Sequence, residues 1–242
     1  MYKYYSGDMH LWYFVTMPLI LILLFVLVIM SPQWWVQRVI KRYQKPLDTI
    51  PGTGGELAIH LLKQLKIEDV EVSVSEIGDH YDPKARKIGL SEANYSGKSL
   101  AAVAIAAHEV GHCIQHQQKM SSFVWRERMV KLAITSEKLG VMSLMAVPFV
   151  GGILRIPHPV VALLIIGFGS MVIGVIVHLV TLPVEFDASF NKALPILTKG
   201  QYIDQKQTQA VRKILKAAAM TYVAATLASM LNIWRWIAII KR

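Results

Sequence analysis

Five consecutive residues stand out for the chemistry that their spacing allows: His108-Glu109-Val110-Gly111-His112, the pattern H-E-x-x-H. Residues four apart on an α-helix share a face, about 6 Å apart along the axis, so two imidazoles can converge on one ion. Zinc takes nitrogen ligands at about 2.0–2.1 Å, and this pairing supplies two of them. Glu109 is turned away from the pair far enough to miss direct ligation, yet it can reach a water on the open side of the ion. Zinc lowers the pKa of a bound water to about 7, and Glu109 is the expected general base beside it. The bland alternative is two surface histidines making hydrogen bonds. Residues 101–107, which precede the motif, are small and apolar and weigh against that. They suit a buried helix, where two histidines and a glutamate without a metal would be unfavourable.

A zinc site with two histidines needs a third protein ligand. His116 lies a further four residues on, but His108 and His116 would be about 12 Å apart along the axis, too far for one ion. The extension that supplies a third histidine in metzincins is absent, since positions 115 and 118 are both Gln. His116 is therefore expected beside the site or at the surface. The stronger candidate is Glu185, in Leu182-Pro183-Val184-Glu185-Phe186-Asp187-Ala188-Ser189. It follows an apolar run, and a carboxylate at a membrane boundary needs a partner, which a zinc ion supplies. The alternative is an interfacial glutamate facing water. Asp79, His80 and Asp82 form a polar knot that could touch the substrate cleft or could simply be a hydrogen-bonded turn.

The elements that must position these residues follow from composition. Of 242 residues 54% are hydrophobic and 17% charged, which leans toward a membrane protein. The single cysteine, Cys113, excludes an internal disulfide. Residues 11–30 carry no charge and are long enough to cross a bilayer, and the start lacks the basic region of a cleavable signal. Further apolar runs cover 139–156, with Pro148 and Gly151-Gly152, then 160–184 and 217–240. Four spans put both termini on one side. Segments 31–138 and 185–216 carry 15 and 6 basic residues, against Lys3, Arg155, Lys241 and Arg242 on the other face. The positive-inside rule then places the polar segments in the cytoplasm. The same topology accounts for the net charge of +10 and for the patch Arg38, Lys41, Arg42 and Lys45, so no nucleic-acid partner is expected.

Within 31–138 the pattern predicts a small α+β unit. Residues 33–45 read as an amphipathic helix along the interface. Thr53 and Glu56 form a capping box for a helix whose apolar face is Leu57, Leu61, Leu62 and Leu65. Val70, Val72 and Val74 alternate as in a half-buried strand, 79–83 reads as a turn, and 87–90 as a second strand that could bind an extended peptide along its edge. Ser99 caps the helix, from Leu100 to about Gln118, that carries the H-E-x-x-H pattern.

The segments HEVGH, DHYDP, KIGLSEANYSGKSLAAVAIAAHE, TLPVEFDAS and AAAMTYVAA together resemble the YugP-type bacterial membrane zinc metallopeptidases, over nearly the whole chain from Gly54 to Leu231. The resemblance implies His108, His112 and Glu185 as zinc ligands and Glu109 as catalytic acid and base. More distantly the chain is similar to the HtpX and CAAX-prenyl-protease gluzincins, in which a carboxylate orients a ligand histidine. Ser189 stands where that group has Asp, and Asp187, two residues after Glu185, is the carboxylate that could take its place. Tyr222 is a conceivable donor to a developing oxyanion, or else an interfacial belt residue.

The chain is therefore expected to be a mainly α integral membrane protein with about four transmembrane helices and a small α+β zincin-like cytoplasmic unit. Its segments would be an N-terminal span (1–30), the cytoplasmic unit (31–138), a transmembrane hairpin (139–184), a cytoplasmic loop with the third ligand (185–216) and a C-terminal span (217–242). The expected function is that of a zinc-dependent endopeptidase of the bacterial inner membrane. It would carry one Zn2+ per chain and act on protein or peptide substrates at the cytoplasmic face. The alternatives are an inactive zinc-binding scaffold or adaptor, and a metal transporter. A transporter would need ionisable residues inside the spans, where His178 stands almost alone.

Overall fold

A proline at position 32 should end the first apolar helix, yet α1 runs unbroken from Tyr5 to Tyr43. Pro32 has no N–H to give the Val28 carbonyl, and the Ser31 hydroxyl donates to that carbonyl instead at 2.8 Å. Residues 33–43 thus continue the first helix, and no separate interfacial helix forms there. This chain is described by a computed structural model that covers the backbone of residues 5–154 and 157–240. Side chains are described over 16–153 and 158–224, apart from Pro18 and Ile22.

Thr53 caps α2 (Gly54–Gln64) through the reciprocal capping box with Glu56. Leu61 and Leu62 are buried, while Leu65, on the same predicted face, stays exposed past the helix end. Three short strands follow: β1 (Glu71–Val74), β2 (His80–Asp82) and β3 (Lys87–Leu90). Their order is β1-β3-β2, with β1 parallel and β2 antiparallel to β3. Part of the predicted turn at 79–83 is thus a strand. The strand at 87–90, read as a free edge, is the central one and has both sides paired, so it cannot accept an added strand. The edge next to the site belongs to β2.

After the short α3 (Glu92–Tyr95), Ser99 caps α4 (Leu100–Gln117), its hydroxyl accepting from the Ala102 N–H at 3.1 Å. Residues 100–115 of α4 are all buried. Small side chains let α2, the sheet and later helices approach from every direction, and Ile88, Leu90, Val110, Leu197, Ile214 and Leu215 form the core around it.

The second apolar run belongs to a longer helix, α5 (Ser121–Phe149), which begins well before residue 139. It contains Pro148 and ends in a π-helical turn, Val150–Leu154. The expected turn at 156–159 lies partly outside the described residues. From there α6 (Pro157–Phe186) returns along α5, passes into a second π-helical segment, Asp187–Ala193, and continues as α7 (Leu194–Lys199). Last comes α8 (Gln205–Ile240), which packs against α1 and α6. Among the described residues three segments are long and apolar enough to cross a membrane: Leu19–Tyr43, Ser121–Ile153 and His158–Lys199. The expected fourth, 217–240, lies in α8, with most of its side chains outside the described residues.

Candidate metal centre

The i, i+4 spacing on α4 sets His108 and His112 ring to ring, with centroids 4.7 Å apart, and both are buried. What faces them comes from the end of α6, where Glu185 is 1% exposed. Its Oε2 lies 3.3 Å from His108 Nε2 and 3.2 Å from His112 Nε2. The close fit between α4 and the π-helical segment depends on Gly111: a Cβ there would stand 2.8 Å from the Ala188 carbonyl oxygen.

The other ring nitrogens decide what the site can do. Ser189 Oγ donates to the Leu215 carbonyl at 3.2 Å, so it accepts from His108 Nδ1–H at 3.0 Å. Gln115 Nε2 donates to the Val184 carbonyl at 2.9 Å and to Asp187 Oδ2 at 2.8 Å, which orients its amide. Its Oε1 then accepts from His112 Nδ1–H at 2.9 Å. In the neutral rings this leaves both Nε2 lone pairs aimed at one carboxylate oxygen, so three metal-ligating atoms converge, an arrangement that suits a cation. An ion bound at about 2.0–2.1 Å with tetrahedral angles holds its ligand atoms roughly 3.3–3.4 Å apart, close to the two separations found here. The donor atoms of His108, His112 and Glu185 all lie within 4.8 Å of one another, so the residues fit a zinc ion.

Glu109 is 5% exposed and lines a cavity of about 330 Å3 together with His108, His112, Glu185, Arg126 and Tyr222. Burial pushes its carboxyl up to about 7; His108 pulls the other way, and Glu185 and Asp79 add to the rise. Arg126, on α5, donates to the Tyr222 hydroxyl at 2.9 Å and stands 3.4 Å from Glu185 Oε1. Asp79, His80 and Tyr81 also line the cavity. Asp79 accepts from the N–H and hydroxyl of Ser91 and from Asn94, which ties the entry of β2 to α3. The polar knot is thus both a hydrogen-bonded turn and a wall of the cleft.

His116 stays out of the cluster. Its Nδ1 pairs with the Tyr81 hydroxyl at 2.8 Å, and its ring stacks on Phe123. Asp187 reaches His112 through Gln115, and Ser189 itself holds His108. Sequence reasoning missed Gln115 and Arg126. Gln115 had a signal, since it sits three residues after His112 on the same helix face. Arg126 had none, because its partners come from α6 and α8.

Residues 18–241 match the family described as "Putative neutral zinc metallopeptidase". A curated relative, "Putative membrane protease YugP" of Bacillus subtilis (strain 168), is 36% identical over 212 residues, covering 85% of this chain and 90% of that protein. No solved structure matches the chain.

Proposed function

The chain belongs to the family described as "Putative neutral zinc metallopeptidase", and from that premise we propose that it is a membrane-bound zinc endopeptidase. One observation carries the reading: the Nε2 atoms of His108 and His112 both meet one buried oxygen of Glu185, in the cavity that Glu109 lines. His108 and His112 would hold the ion through Nε2 and Glu185 through Oε2. When bound, zinc supplies Lewis-acid polarisation of the scissile carbonyl and lowers the pKa of water. The chain's own residues do the rest. Glu109 takes the proton of the attacking water and returns it to the leaving amine, a role that its place on the wall of the cavity beside the two histidines allows. Tyr222, on the same cavity wall, is the candidate donor to the carbonyl oxygen. The outer edge of β2, with His80 and Tyr81 in the cleft, offers an extended peptide a strand to pair with.

In this reading α8 is the fourth span and the sheet with α4 is the zincin-like unit. The site faces the cytoplasm of a bacterial inner membrane. The excess of basic residues in 31–138 and 185–216 supports that orientation. The relative named as a membrane protease supports the location.

The test is metal content of detergent-purified protein, followed by cleavage of a peptide library. We expect about one zinc per chain, and a Glu109→Gln variant that keeps zinc but loses cleavage. Full activity in that variant would sink the mechanism. Zinc without cleavage in the wild type would leave a zinc-bearing membrane scaffold.

A further inference from the structure

The two oxygens of Glu185 meet different partners. Oε2 faces both histidines, whereas Oε1 has no hydrogen-bond partner and lies 3.4 Å from the Arg126 guanidinium. That guanidinium is itself held in place. It donates to Tyr222 and lies over the Phe123 and Tyr222 rings at 5.6 and 5.8 Å from their centroids. Phe123 is buried and packs against His112, so Arg126 is clamped in the wall of the site. A side chain with 14% exposure, hydrogen-bonded to Tyr222 and set over two rings, is more than a loose counterion.

A carboxylate can bind an ion through one oxygen or both. With both on the ion, His108, His112 and Glu185 would supply four donor atoms by themselves, and a water would enter only as a fifth. A catalytic zinc site keeps one position open. We propose that Arg126, steadied by Tyr222, is a positioning residue that draws Glu185 Oε1 away from the metal, so that Glu185 ligates through Oε2 alone and the fourth position stays open. The inference rests on the metal-site reading above. The guanidinium suits the task because it attracts Oε1 and, as a cation, stays clear of the ion. A lysine would supply the charge without the planar guanidinium that lies over the two rings.

The test uses the full-length protein in detergent, loaded with Co2+ in place of zinc, because cobalt's visible bands are intense in four-coordinate sites and several-fold weaker in five-coordinate ones. Wild type with a water in the fourth position should give the intense spectrum at about one cobalt per chain. Arg126→Gln should weaken the bands several-fold as the second carboxylate oxygen joins the two histidines and the water, and zinc affinity should shift by roughly 10–100-fold, as for other residues that orient ligands. Tyr222→Phe should move the spectrum the same way by a smaller factor. Should Arg126→Gln fail to fold, Tyr222→Phe decides the question, since it removes one hydroxyl and no packing volume. Normal cobalt uptake with a wild-type spectrum in the folded variants overturns the role of Arg126 alone. A wild-type protein that takes up neither metal overturns the metal-site reading beneath it.

Discussion

Two helices meet at this site, and both are apolar over long stretches, yet they live in different surroundings. In α4 the residues around the motif are mostly Ala with a few Val and Ile, and they are buried on every side. In α6 large side chains point outward: Ile165 is 68% exposed and Val172 52%. Small residues let protein pack against protein, whereas Leu, Ile and Val at similar density suit lipid. Hydrophobicity alone therefore does not say whether a helix sits in a core or in a bilayer. Side-chain size does.

Glycines in the two helices sharpen the contrast. Gly111→Ala would normally favour a helix by up to about 1 kcal/mol. On α4 the new methyl meets the Ala188 carbonyl, so we expect a loss of roughly 1–3 kcal/mol in thermal unfolding, with weaker zinc retention. A Tm at or above wild type would show that α4 and the π-helical segment are not pressed together. Ser189→Ala removes the anchor of His108 without adding bulk. Zinc affinity, measured by chelator competition, should fall about 10–100-fold with little change in Tm. The smallest effect belongs to α6. At Gly169 an added Cβ meets nothing within 4 Å, so Gly169→Ala should change Tm by no more than the equivalent of about 1 kcal/mol, in the stabilising direction. A clear drop would mean that this face of α6 is covered.

Legibility in the sequence followed the range of the interaction. The histidine pair, the Thr53–Glu56 box and the Ser99 cap are contacts within four residues, and each can be read from spacing. The continuity of α1 through Pro32 turned on one hydroxyl bond that composition does not reveal. The order of the strands depends on how 80–82 folds back on 87–90, and no pattern within either stretch encodes that. Glu185 was visible because a carboxylate after an apolar run is anomalous. Arg126 was not, since a basic residue in a stretch rich in Lys and Arg draws no notice until its partners from α6 and α8 are in place.

The distance in sequence between the histidines and Glu185 has a consequence for the order of biosynthesis. His108 and His112 leave the ribosome early, but their carboxylate partner emerges only after the whole α5–α6 hairpin has been made. Until the end of that hairpin has docked on α4, the nascent chain has two imidazoles without the carboxylate that faces them. On the proposed function, a protease assembled in this order would stay inert while it is being made, and insertion of the hairpin would be the step that arms it.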